Sequence, residues 1–264
     1  MNTIARYFKV LATPLLAVAL LAGQAPLSGK QNDAAFQQEV RLADQAVGRR
    51  ARVKHLQRAI ELRPDHPENI ALEYRIGIAL AQHGDPTDGS DPNPPDAIPW
   101  FEGILAKYNH MDYYEPRAST GSWDAQFLVP RAAVQLASIL LGDPAAAHRR
   151  REILLKAMED IQSTYDQRIE DWLSEPRPEP PHPALGGLDP MGKWHNRQEE
   201  WLQRRQAAER GDVLHEVEMR TVKAAVRQYG YTYGRQQPWE VRRAMQDIID
   251  RFPNTPMGGV TSRL

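Results

Sequence analysis

The chain has 264 residues, 41% of them hydrophobic and 25% charged, with a formal net charge of −1. That balance is ordinary for a globular protein and gives no long-range attraction to nucleic acid or to an anionic membrane. The absence of cysteine excludes disulfides, a thiolate nucleophile and cysteine-ligated zinc, while 21 prolines predict stiff connections between helices.

Arg6 and Lys9 precede an apolar run over residues 10–22, and small residues follow at 23–25. Charged, apolar, then small is the order of a secretory signal peptide, with cleavage expected after Ala25. An uncleaved signal anchor is the alternative. The run is shorter than the roughly 20 residues of a comfortable spanning helix, so no membrane span is expected in the mature chain. Without cysteine there is no lipid attachment through that side chain. Export without disulfides points to a bacterial periplasm or cell envelope, or to secretion.

Asn32 or Asp33 is placed to cap a first helix with Phe36, Val40 and either Ala43 or Leu42 on one stripe. Gly48 turns the chain into a second, where Val53, Leu56, Ala59 and Ile60 share a face. Pro64 ends it by disfavouring helical geometry at Arg63. Residues 70–80 alternate as a strand would, but the run is long, alanine-rich and closed by Gly84, so a helix is predicted. The insertion that follows carries Asp85, Asp88, Asp91 and Asp96. Calcium-loop spacing is absent and prolines break the geometry, so these are read as turn formers, with Asp96 capping the helix AIPWFEGILAKY.

AIELRP at 59–64 resembles the close of a tetratricopeptide repeat. Ile76-Gly77 resembles the family's Leu-Gly pair, Leu80 its helix-packing aromatic and Gly84-Asp85 its inter-helix turn. Ala97 and Phe101 fit the second helix of that unit. The resemblance covers residues 50–108. It implies hairpins of about 34 residues that bury their faces only by stacking: an all-α chain, an irregular α-solenoid presenting a groove to a protein or peptide.

Residues 109–122 read as a loop in which Tyr113 and Tyr114, beside Arg117, line a groove or lid a core. A helix over 123–141 is expected to be broken or kinked before Pro130. Gly142 ends it, Asp143 caps the next and Pro144 occupies its first turn. That next helix, expected to reach about Leu173, carries a stripe of Leu154, Met158, Ile161 and Tyr165. Its HRRR at 148–151 is a basic docking patch or a solvated face.

Residues 174–193 are rich in proline and glycine and form a connector, either a linker or a strap across a subdomain. The organisation is therefore a signal peptide at 1–25, a repeat-like helical domain at 26–173, this connector, and a C-terminal helical region at 194–264. In that region Trp194 and Trp201 share a helix face, and either stack on a ligand or anchor the segment. Leu214, Val217, Thr221 and Ala224 form a stripe. YGYTYG at 229–234, with Tyr229, Tyr231 and Tyr233, reads as an aromatic loop and a candidate partner surface. A last helix from Pro238 carries Val241, Met245, Ile248 and Phe252. The following FPNTP resembles the turn after second helices in periplasmic tetratricopeptide proteins, and the last eight residues read as loose.

Local catalytic motifs are near misses. GQAPLSGKQ at 23–31 has the wrong length and ending for a phosphate loop, and HEVEM at 215–219 lacks the second histidine of a zinc motif. Glu199, Glu200, Glu216 and Glu218 read as a solvated helix face. No catalytic residue, cofactor or metal is expected. The function expected is an exported, non-enzymatic interaction or scaffold module. The alternative is a helical enzyme or binding protein acting on cell-wall or other polysaccharide, with Trp123, Trp194, Trp201 and spatially paired carboxylates in a cleft.

Overall fold

A computed structural model describes residues 29–85, 87, 89–115, 125–180, 190–233, 238–252 and 256–261. The expected signal peptide, Arg117, Trp123 and most of FPNTP lie outside the described residues. The fold is all-α. Its helices are α1 (Gly29–Gln45), α2 (Arg49–Leu62), α3 (Asn69–Gln82), α4 (Ile98–Lys107), α5 (Ala125–Ile139), α6 (Ala147–Ser174), α7 (Pro190–Arg210), α8 (Glu216–Tyr233), α9 (Pro238–Arg251) and α10 (Pro256–Thr261). The only extended pairing among the described residues is an isolated bridge between Asp85 and Ser90.

From α1 to α6 each helix packs on its successor, and α3 also touches α5. After α6 the order branches: α7 and α8 both lie on α6, α8 also lies on α5, and α9 and α10 close over α8. Three apolar clusters follow this order. Phe36, Ala43, Leu56, Ala59, Leu72 and Ile76 join α1 to α3. Ile70, Tyr74, Phe101, Ile104, Leu128 and Leu136 join α3 to α5. The third begins at Phe127, takes in Leu154, Met158, Ile161 and Tyr165 of α6, and continues through Val222, Val226 and Ile248 to Met257. Alternation over 70–80 is thus helical, with Ile70 and Ile76 serving different clusters on two faces of α3.

The turn from α2 to α3 is sealed by Asn69, whose side-chain amide donates to the carbonyls of Arg63 (2.7 Å) and Pro64 (2.8 Å). Asp143 caps as its spacing predicts, accepting from the Ala145 amide at 2.9 Å. Two expected caps are corrected. Helix α1 begins ahead of Asn32 and Asp33, and Asp33 instead pairs with Arg63 at the end of α2. Asp96 lies inside a 3₁₀ turn, Pro94–Ala97, that leads directly into α4, and makes no cap.

The C-terminal half brings three further corrections. YGYTYG is not a loop as far as Tyr233: the buried spacing of Val222, Val226 and Tyr229 carries α8 through Gly230. The buried stripe running into α8 keeps Leu214 and Thr221 of the expected one but takes Glu218, Val222 and Ala225 in place of Val217 and Ala224. Within α8 it opens with Glu218, which is 4% exposed and not on a solvated face. Residues 256–261 are not loose, because Met257 is fully buried in the third cluster.

Candidate binding clefts

The connector acts as a strap over 175–180, whereas residues 190–193, expected to belong to it, form the first turn of α7. Trp201 of α7 donates its indole N–H to the Glu175 carbonyl at 2.8 Å, and Trp194 donates to the Pro178 carbonyl at 3.1 Å. Arg204 grips the Glu175 carboxylate through two nitrogens, each at 3.0 Å. Both tryptophans are half-buried in this way. Trp201 still lines a groove of about 520 Å³ with Arg177, His195, Gln198, Glu199 and Leu202.

The tyrosines of the sequence reading are scattered. Tyr113 ends a 3₁₀ turn (His110–Tyr113) with its ring 6.1 Å from that of Tyr108. Tyr114 donates its hydroxyl to Asp171 at 2.6 Å. Burial first, and then that bond and the charge of Asp171, push its pKa up. Tyr229 is 2% exposed, whereas Tyr231 is 63% exposed. Tyr233 is helical, and its side chain lies outside the described residues. The HRRR run divides as well. Arg149 pairs with Glu102, while Arg150 is buried and ties α6 to the carbonyls of Ala137 on α5 (2.7 Å) and Gln228 on α8 (3.3 Å).

Arg151 contributes to a cleft of about 470 Å³ between α6, α8 and α9. Tyr229 and Ala244 supply apolar lining, and Trp239, Glu240, Arg243 and Asp247 complete it. Trp239 is 60% exposed in the first turn of α9. Asp247 already accepts from Arg251 at 3.1 Å.

A second cleft, about 500 Å³, lies between α4, α5 and α6. Leu105, Val129, Ala133, Ile153 and Ala157 form its apolar walls. Its polar part holds Tyr108, Asn109, His110, Glu152, Lys156 and Asp160. His110 and Asp160 are both buried, and His110 Nδ1 lies 3.4 Å from the Asp160 carboxylate. Lys156 reaches that carboxylate from one turn away, at 2.6 Å. His110 Nε2 is buried without a hydrogen-bond partner among the described residues. Burial pushes the His110 pKa down. Asp160 opposes the shift, Lys156 adds to it and Asp112 opposes it, so the ring is neutral at pH 7.

No local signal could have found this cluster, because His110 and Asp160 come together only when the 3₁₀ turn after α4 packs beside α6. Trp239 was legible as an aromatic in the first turn of a helix, but its exposure was not. Among the described residues no group of three or more histidine and acidic side chains could hold a metal, and no helix is long and apolar enough to cross a membrane. Compared with protein-family models, curated proteins and solved structures, the chain matches none of them.

Proposed function

We propose that the protein is an exported, non-enzymatic helical-repeat module of the tetratricopeptide type, and that it docks a protein or peptide partner in the cell envelope. Its docking face is the junction of α8 and α9. The observation that carries this reading is the exposure of Tyr231 (63%) and Trp239 (60%), each within about one turn of that junction. Exposed aromatics beside arginines are the residues on which interface energy concentrates, and Arg151 and Arg243 line the adjoining cleft. Sequential packing from α1 to α6, and the seating of Phe101 against Gly77, support the repeat reading. Export is supported by the charged, apolar, small order of residues 6–25.

The test is a crosslinking pull-down of the tagged protein from its own envelope fraction, with N-terminal sequencing of the recovered chain. A single enriched protein is expected, bound by wild type and lost in W239A and Y231A variants of unchanged circular dichroism. A mature N-terminus at Pro26 supports export. One observation favours a second reading: Trp239 shares its cleft with two carboxylates, Glu240 and Asp247, as a polysaccharide site would require. Sedimentation with purified cell wall, abolished by W239A, with no protein captured, would replace the first reading by the second.

A further inference from the structure

We propose that the cleft between α4, α5 and α6 binds a small organic cation: an apolar body carrying a primary ammonium group. Its volume of about 500 Å³ suits such a ligand, and three helices supply apolar walls. The charge of the lining selects the sign. Glu152 and Asp160 contribute two carboxylates against the single ammonium of Lys156, so the cleft carries an excess negative charge that a monocation completes.

The Lys156–Asp160 pair differs from a built structural ion pair. Arg168 and Glu218, at 1% and 5% side-chain exposure, are both buried and bind through two parallel contacts. Asp160 is equally buried at 6%, but its ammonium partner is a surface lysine with 69% exposure. Lys156 keeps its ammonium in water, so a ligand ammonium entering the cleft can replace it on the carboxylate without leaving that buried charge uncompensated. Lys107 and Glu73 form a similar half-exposed pair, but neither lines this cleft. Beside Asp160, His110 adds an uncharged ring whose Nε2 has no partner among the described residues. An anion would instead face both carboxylates.

Titration calorimetry of the purified protein at pH 7 and low salt separates the possibilities, using 2-phenylethylamine, its neutral analogue 2-phenylethanol, and 3-phenylpropanoate as the anion. The cation is expected to bind about tenfold more tightly than the alcohol, and the anion more weakly than either. E152Q, at the exposed rim, should weaken the cation alone and leave circular dichroism and the urea midpoint unchanged. K156M should tighten it by removing its competitor for Asp160, without changing the alcohol. D160N should abolish the preference, and the two exposed-site variants carry the test if D160N does not fold. W239A on the α8–α9 face should change none of these values, so failure here is distinct from failure of the docking face. Equal binding of the three probes, preference for the anion, no binding of any probe, or a K156M variant that binds the cation less tightly would overturn the assignment.

Discussion

Arg168 lies in the C-terminal third of α6 with its guanidinium out of water. It donates to Glu218 at 2.9 and 3.1 Å and to the Val213 carbonyl at 2.8 Å. Glu218 in turn accepts from the His215 amide at 2.7 Å, closing the first turn of α8. One carboxylate therefore caps α8 and neutralises a buried cation. Removing one member of such a pair strands the other in a low dielectric, which costs about 3–5 kcal/mol, whereas replacing both by apolar groups of similar size is nearly neutral. E218A is therefore expected to lose stability in that range by urea denaturation. R168M/E218L should be the more stable of the two variants despite carrying more changes. If the double variant is the less stable, the pair contributes beyond compensating its own burial. Gly77 makes the opposite kind of demand. A Cβ there would stand 2.6 Å from Cε1 of the buried Phe101. Alanine in a helix gains about 1 kcal/mol over glycine, but overpacking a core costs about 1–3 kcal/mol. Because Phe101 is fully enclosed, the second effect wins, and G77A is expected to lower the thermal midpoint.

At the scale of elements, the insertion after α3 is a clamp. Arg49, in the first turn of α2, donates to the His83 carbonyl at 3.1 Å, the Asp91 carbonyl at 2.9 Å and the Ser90 hydroxyl at 2.9 Å. Asp85 returns the contact by accepting from the Arg50 amide at 2.8 Å, capping α2 from a distant part of the chain. Gly48 permits this approach, since a Cβ there would lie 2.7 Å from the Asp85 carboxylate. The Thr87 hydroxyl bond first, then the Arg50 and Thr87 amides, lower the Asp85 pKa to about 2. A carboxylate held below its unfolded value contributes stability that is complete above about pH 4 and lost as pH falls through about 2. D85N should therefore be less stable than wild type at pH 7, and the difference should shrink from pH 4 to pH 2. A constant difference across that window would remove Asp85 from the acid response. The aspartate was legible as a turn former because its neighbours are glycine and proline. Its second role was not, because the amide it caps lies 35 residues away. The helices show the same limit. Apolar spacing foretold α2, α6 and α9, whose faces are ordinary stripes. It missed the start of the α8 stripe, where burial depends on an arginine brought in by α6.

At the scale of the molecule, the third cluster joins residues on both sides of the 174–193 connector. Phe127, Leu154, Met158, Ile161 and Tyr165 precede it, and Val222, Val226, Ile248 and Met257 follow it. Glycine and proline content made the connector visible in the sequence. The shared core was not visible, because each apolar stripe records only that it is covered and not by what. A chain ending at Leu173 would keep the two N-terminal clusters but uncover the α6 stripe that α8 protects. Each fully buried large apolar side chain is worth about 1.5–3 kcal/mol. Even partial exposure of Leu154, Met158, Ile161 and Tyr165 therefore approaches the roughly 5–15 kcal/mol by which whole domains are stable. The truncated chain is expected to bind a hydrophobic dye and to lose its cooperative transition in urea, while the full chain unfolds with one midpoint by tryptophan fluorescence and by circular dichroism. Strap variants give a finer reading. W201F removes the indole donor to Glu175 but keeps an aromatic body, so it should loosen the 175–180 segment, measured as faster amide exchange there, and leave exchange in α6 unchanged. If α6 exchange rises in step, the strap and the core open together and α7 belongs to the same cooperative unit as α8.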